Sequence, residues 1–123
     1  MYPAAYKYTN DHEWIGVDGD TGKIGITDYA QKQLGDIVFL ELPEVGRTVG
    51  KGDVLGSIES VKAVSEIFSP VSGEVVAVNQ DLTGQPELVN SDPHGSWMVA
   101  VRLSDPTEIN GLLDAAAYEE LAK

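Results

Sequence analysis

The sequence predicts a mostly β sandwich with short helices at its periphery. Its apolar residues fall mainly in short runs rich in valine and isoleucine, separated by glycine and proline, which is typical of strands joined by turns. Helical signals are confined to residues 28–34 and to the segment after residue 105. The chain also matches itself, Gly35-Asp36-Ile37-Val38-x-Leu40 against Gly73-Glu74-Val75-Val76-x-Val78, which indicates two copies of one β unit packed face to face.

The first predicted element is a hairpin. Trp14-Ile15-x-Val17 has the aromatic and β-branched residues of a strand, and Lys23-Ile-Gly-Ile26 follows as its partner. The segment Asp18-Gly-Asp-Thr-Gly22 between them has the composition of a turn.

A short helix and a strand come next. Thr27 is expected to cap a helix from residue 28 to residue 34, and Gly35 stands just beyond its end. The strand over residues 37–42 is closed by Pro43, which cannot continue a sheet.

The central prediction is a hairpin over residues 55–70 with Lys62 at its tip. One apolar run ends at Ile58 and another resumes at Ile67, and the polar segment between them has the lysine near its centre. The connection between the two β copies would therefore project at one end of the sandwich.

The remaining chain is predicted as two strands, two loops and a helical tail. The strands cover residues 74–79 and 97–103, the loops 84–86 and 90–95, and the tail begins at Asp105-Pro106. At this length one compact domain is expected, with these bounds: domain 1–123, core about 20–103, tail 105–123.

Composition excludes several classes of function. The net charge of −12 would repel nucleic acid and favours partners with basic surfaces. The absence of cysteine excludes disulfides and thiolate zinc sites. No apolar run approaches the length of a membrane span, and the N-terminus lacks a secretory signal, so we expect a cytoplasmic protein.

Conventional catalysis has little support. The two histidines, His12 and His94, belong to no recognisable nucleophile or metal motif, so we expect neither catalytic residues nor a metal site. Lys62 offers different chemistry, because an exposed amine can be acylated and then carry a long prosthetic arm. A lysine amine is mostly protonated at neutral pH, so attachment would need a separate enzyme that recognises the tip.

The residues around Lys62 resemble the lipoyl-attachment region of the glycine cleavage H-protein family. The resemblance rests on Val54-Leu-Gly-Ser-Ile-Glu-Ser-Val-Lys-Ala63 followed by Ser69-Pro-Val-Ser-Gly-Glu-Val76. It extends in order over nearly the whole chain, through His12-Glu-Trp14, Ile24-Gly-Ile-Thr-Asp28, Ala30, Leu34-Gly35, Val38-x-x-x-Leu42-Pro43, Val89-Asn90 and Gly95-x-Trp97-Met98.

The resemblance implies a barrel-sandwich hybrid, lipoyl-domain-like, that carries lipoate on Lys62 and is not itself an enzyme. Its attachment loop would comprise Glu59, Ser60, Val61 and Ala63 around the lysine. The implied partners are a lipoate-attaching enzyme and three enzymes of glycine catabolism and one-carbon metabolism: glycine decarboxylase (the P protein), which loads an aminomethyl group, aminomethyltransferase (the T protein), and dihydrolipoamide dehydrogenase (the L protein). Neither nucleic acid nor a membrane is implied, and we expect a monomer.

The resemblance also implies a surface cleft that shelters the loaded arm. Its amine would be cationic, so carboxylates should line the cleft. The residues at the corresponding positions are Asp11, Glu13 and Glu66. Glu13 is the best supported of the three, because it lies inside the matched His-Glu-Trp segment.

Three other readings use the same lysine. A biotin carrier usually has methionines on both sides of it, whereas Val61 and Ala63 stand here. A lipoyl domain of a 2-oxo acid dehydrogenase would need neither the His12-Glu-Trp14 segment nor the helical tail. A lipoate relay or scaffold protein would need the lysine but not the cleft.

Overall fold

A computed structural model describes residues 2–122 and contains two antiparallel sheets. The six-stranded sheet has the order β1-β2-β3-β9-β8-β5, and the three-stranded sheet has the order β4-β6-β7. The strands are β1 Lys7–Tyr8, β2 Glu13–Asp18, β3 Thr21–Ile26, β4 Ile37–Glu41, β5 Thr48–Val49, β6 Val54–Ser60, β7 Val64–Phe68, β8 Gly73–Val78 and β9 Val99–Leu103. The helices are α1 Asp28–Leu34, α2 Asp81–Gly84, α3 Leu88–Ser91, a 3₁₀ helix Pro106–Gly111 and α4 Ala115–Leu121.

The main core lies between these sheets and draws on both of them. Ile24 and Val101 of the large sheet and Leu40, Ile58 and Ile67 of the small sheet are buried in one apolar cluster. Burial of this apolar surface is the dominant stabilising contribution to such a sandwich. The predicted mostly β fold is confirmed, and the two sheets do not close into a barrel.

The internal repeat is visible in the sheets. The first copy forms β4 in the small sheet, and the second copy forms β8 in the large sheet. Each strand has an irregular register at the matching place, between Ile37 and Phe39 in β4 and between Val75 and Ala77 in β8. Both copies therefore contain a β-bulge at the same position of the repeat.

Helix α1 has the predicted bounds and links the two sheets near the lysine hairpin. The Thr27 side chain accepts a hydrogen bond from the Ala30 amide, and Gly35 ends the helix with a φ of 80°. Asn90 then fixes the start of β4, because its Oδ1 accepts from the Ile37 amide at 2.9 Å and its Nδ2 donates to the Gly35 carbonyl at 3.0 Å.

The two predicted loops are partly helical, which the sequence analysis did not predict. Residue 84 of the first predicted loop is the last residue of α2, and residues 90 and 91 of the second are the last two of α3. Helices α2 and α3 have four residues each. Leu82 and Val89 bury their side chains in the main core from these single turns. Such helices are too short to show a periodic apolar pattern.

The C-terminal tail is helical as predicted, but it is interrupted and partly buried. Between the 3₁₀ helix and α4, Leu113 pairs with Tyr8 of β1 in an isolated bridge. Tyr118 of α4 is fully buried, stacks on Tyr8 with ring centroids 4.9 Å apart, and bonds through its hydroxyl to Thr27. The tail thus closes a second, aromatic cluster. No helix within residues 2–122 has the length and apolarity required to cross a bilayer.

Candidate functional site

The β6–β7 hairpin presents Lys62 at its tip, as predicted. The strands pair from Val54 opposite Phe68 up to Glu59 opposite Val64, and Lys62 lies in the exposed turn between them. Hydrogen bonds hold the turn closed: the Ser60 amide donates to the Ala63 carbonyl at 2.8 Å, and Ser60 Oγ accepts from the Ala63 amide at 3.0 Å.

The tip is also braced by the start of β4. The Val61 amide donates to the Asp36 carbonyl at 3.0 Å. The Lys62 side chain extends over Gly35, since a Cβ at that glycine would lie 3.5 Å from Lys62 Cε. Lys62 Nζ forms no ion pair with any residue from 2 to 122. The amine is therefore exposed and unpaired on a fixed backbone, which fits acylation by a carboxylic acid such as lipoate.

A cleft of about 250 Å³ lies at the other end of the hairpin. It is bordered by the β1–β2 connection with Asp11 and Glu13, by Phe68 at the end of β7, by Lys51, and by Leu113 of the tail. β7 runs from Val64, next to the turn, to Phe68 at the cleft, and the four steps between its ends span roughly 13 Å. The cleft is thus about one short strand away from Lys62.

Glu13 is the buried carboxylate of this cleft, and its side chain is only 2% exposed. Its Oε1 accepts from the Thr9 hydroxyl at 2.8 Å, and its Oε2 accepts from the Phe68 amide at 2.9 Å. Thr9 Oγ1 also accepts from the Asp11 and Glu13 amides, so its hydroxyl hydrogen is directed to the carboxylate. Each Glu13 oxygen keeps further acceptor capacity for a donor in the cleft.

Burial raises the pKa of Glu13 to about 7. The hydrogen bonds from Phe68 and Thr9 lower that pKa, and the negative charge of Asp11 raises it, but desolvation is the largest effect. A cation in the cleft would favour the ionised carboxylate. The site is therefore suited to an ammonium group.

The structure brings together only part of the predicted carboxylate set. Asp11, which is exposed, lines the same cleft as Glu13. Glu66 is exposed on β7 and borders a separate cavity of about 270 Å³ together with Glu41 and Arg47, so its role at the arm stays a prediction.

Two contributors to the cleft were missed by the sequence analysis. Thr9 orients Glu13, and a hydroxyl residue four positions before a carboxylate is too common a spacing to indicate this contact. Lys51 lies in a glycine-rich run whose composition indicates only turns. Its neighbour Gly52 has a φ of 90°, which agrees with a turn at this point.

The model of the glycine cleavage H-protein family matches residues 6–123. The chain belongs to this family. The assignment covers both the lysine hairpin and the Glu13 cleft, and it confirms the resemblance found in the sequence.

Individual members of the glycine cleavage H-protein family are similar over nearly their full length. The glycine cleavage system H protein of Koribacter versatilis is 61% identical over 121 residues, covering 98% of this chain and 94% of that protein. The one from Acidobacterium capsulatum is 57% identical over 122 residues, covering 99% and 95%. A crystal structure of the protein from Mycobacterium marinum superposes with a TM-score of 0.89 at 39% identity, and the match covers 97% of each chain.

Family membership establishes the predicted function in outline. Glycine cleavage H proteins are lipoate-bearing carriers, and this chain is a carrier component of glycine cleavage and not a catalyst. The match also excludes the biotin-carrier and 2-oxo acid dehydrogenase readings, since it includes the His12-Glu13-Trp14 segment and the tail.

Proposed function

We propose that Lys62 is the lipoyl attachment site of this carrier. The observation that carries the proposal is the exposed, unpaired amine on a hairpin tip whose backbone is fixed by Ser60, Ala63 and Asp36. When attached, the lipoyl group supplies a dithiolane that accepts the aminomethyl group and is later reoxidised. The chain itself supplies position and shelter.

The partners proposed from family membership are four proteins. A lipoate-attaching enzyme acylates Lys62, glycine decarboxylase loads the carrier, aminomethyltransferase unloads it, and dihydrolipoamide dehydrogenase reoxidises it. We further propose that residues 1–123 act as one monomeric domain in the cytoplasm with these enzymes. The acidic surface, with a net charge of −12, favours docking to basic patches on them.

The Glu13 cleft is proposed as the shelter for the loaded arm. The Thr9 and Phe68 contacts hold its buried carboxylate in one orientation. Ionised Glu13 would accept a charge-assisted hydrogen bond from a cationic amine, and exposed Asp11 would add attraction at the rim. Apolar walls such as Leu113 would limit the access of water.

The attachment site is tested by intact-mass measurement. The native chain, Lys62→Arg and Lys51→Arg are each incubated with a purified lipoate ligase, lipoate and ATP. Lys51 is the matched control, because it is another exposed lysine in a turn. The native chain and Lys51→Arg should gain one lipoyl mass and Lys62→Arg none. An unmodified native chain, or a modified Lys62→Arg, would overturn the proposal.

A further inference from the structure

The outer face of the three-stranded sheet carries an exposed apolar patch beside Lys62. Residues directly opposite one another in a sheet project from the same face. Phe39 lies opposite Glu59, and Glu59 lies opposite Val64, so these three side chains form one row across the sheet next to the tip. Phe39 is 50% exposed and Val64 is 68% exposed.

The β-bulge in β4 enlarges this patch. Ile37 and Leu40 are both buried although they are three positions apart, so a regularly alternating strand could not bury both of them. The register shift between Ile37 and Phe39 makes this possible, and it leaves Val38, 51% exposed, beside the exposed Phe39. Two large apolar side chains are therefore held in water near the lysine, which costs solubility and indicates a contact surface.

The internal repeat shows that packing does not require this arrangement. The second copy has its bulge at the matching position, with Val76 in place of Val38 and Ala77 in place of Phe39. Both of those residues are half-buried. β8 thus forms the same bulge with alanine at the position where β4 exposes a phenylalanine.

The next row on this face carries two carboxylates, and Arg47 borders the same cavity as both of them. Glu41 lies opposite Ser57, and Ser57 lies opposite Glu66, so both carboxylates project from the same side as Phe39 and Val64. Glu59 adds a third carboxylate to the face. A complementary partner surface would have an apolar socket for Phe39 bordered by lysine or arginine side chains.

The position of the patch selects one of the proposed partners. The patch adjoins Lys62, since Glu59 and Val64 are the last paired residues before the turn. An enzyme that acts on the end of a long arm can dock at a distance from the lysine. The enzyme that acylates Nζ must bring its active site to the tip itself.

We propose that Val38, Phe39 and Val64, together with Glu41, Glu59 and Glu66, form the docking surface for the lipoate-attaching enzyme. This inference rests on the proposed attachment at Lys62. The acyl donor is the mixed anhydride of lipoate and AMP, which the enzyme forms from lipoate and ATP with release of pyrophosphate. Nζ loses a proton and forms an amide bond to the lipoyl carbonyl carbon, while the bond from that carbon to the phosphate oxygen breaks and AMP leaves with the oxygen.

The test is the initial rate of lipoylation by purified lipoate ligase with lipoate and ATP at several carrier concentrations. Phe39→Ala should raise KM for the carrier by about fivefold or more, because truncating a central aromatic contact weakens an interface strongly. Its kcat should change little, since Lys62 is untouched. Leu121→Ala is the matched control, as Leu121 is 47% exposed on α4, and it should leave KM unchanged.

The acidic row is tested in parallel. Combined Glu41→Gln and Glu66→Gln should raise KM and reduce the dependence of the rate on salt concentration, because fewer charges are then screened. Combined Glu87→Gln and Glu119→Gln removes the same two charges at exposed positions outside the patch, so it is the control for net charge and should do neither.

Two further measurements separate docking from other causes. Acylation of Lys62 by a small activated ester should proceed at the same rate in the native chain and in Phe39→Ala, because no protein docking is involved. Thermal unfolding should show that Phe39→Ala folds, as the alanine of the second copy indicates; if it does not, Val64→Ala carries the same test. A native chain that is never lipoylated refutes the attachment site, whereas native lipoylation with unchanged KM in the variants refutes only the docking surface.

Discussion

Replacing Glu13 by glutamine should change how stability depends on pH. Burial raises the pKa of Glu13 from 4.5 to about 7 in the folded chain. Between these values the folded chain binds more protons at this group than the unfolded chain does, so the free energy of unfolding falls as pH rises. The loss contributed by Glu13 between pH 5 and pH 8 is about 2 to 3 kcal/mol.

The assay is urea unfolding of the native chain and of Glu13→Gln at pH 5, 6, 7 and 8. Glutamine can still accept from the Phe68 amide, but it loses the hydrogen bond from the Thr9 hydroxyl, a cost of about 1 kcal/mol that does not vary with pH. The variant should therefore be the less stable protein at pH 5 and the more stable one at pH 8.

The difference between the two proteins isolates Glu13 from other titrating groups. Burial lowers the pKa of both His12 and His94, which makes stability rise with pH and opposes the effect of Glu13 in the native curve. These contributions are present in both proteins and cancel in the difference. If the two stability curves run parallel from pH 5 to pH 8, the raised pKa of Glu13 is wrong.

Two further substitutions test the structural support of the site. Tyr118→Phe removes the hydroxyl contacts to His12 Nδ1 and Thr27 Oγ1, each 2.7 Å long. It should lower the free energy of unfolding by about 1–3 kcal/mol, and Lys62 should still be lipoylated. An unchanged midpoint of urea unfolding would contradict the buried contact. Gly56→Ala, in β6 of the lysine hairpin, places a Cβ against the Glu41 backbone carbonyl of β4 and should lower the free energy of unfolding by about 1–3 kcal/mol. Gly84→Ala is the control, because its Cβ has open space and should cost little. Equal melting temperatures for the two variants would show that β4 and β6 are farther apart than the structure has them.

The elements with local signals could be predicted from the sequence. The helix 28–34 has its capping threonine and terminal glycine within the segment itself, so its observed bounds agree with the prediction. The lysine hairpin likewise follows from two β-branched runs and a short polar turn. The repeat could be read because both copies begin with glycine, an acid and two apolar residues.

The features that depend on distant contacts could not be predicted. Leu82 and Val89 are buried by single helical turns, whose packing depends on the sheets beneath them. Tyr118 looked like part of a peripheral tail, but its burial requires the isolated bridge between Leu113 and Tyr8. The exposure of Val38 requires a bulge, and no residue type in β4 indicates one.

The candidate site likewise has residues that the sequence could indicate and contacts that it could not. Lys62 and Glu13 could be named as candidates because each lies inside a continuous matched segment. The second carboxylate oxygen of Glu13 accepts from the backbone amide of Phe68, which is 55 residues away, and no sequence pattern reveals this contact. The separation of Glu66 from the Glu13 cleft depends on which face of β7 it occupies, and that is set by strand register.

The measurement that tests the central claim most directly is peptide mapping of the lipoylated chain after digestion with trypsin. Trypsin does not cleave after an acylated lysine, so attachment at Lys62 should leave residues 52–102 as one uncut peptide that carries the lipoyl mass. Cleavage after Lys62 in the lipoylated chain, with the added mass on a peptide that contains another lysine, would contradict the account.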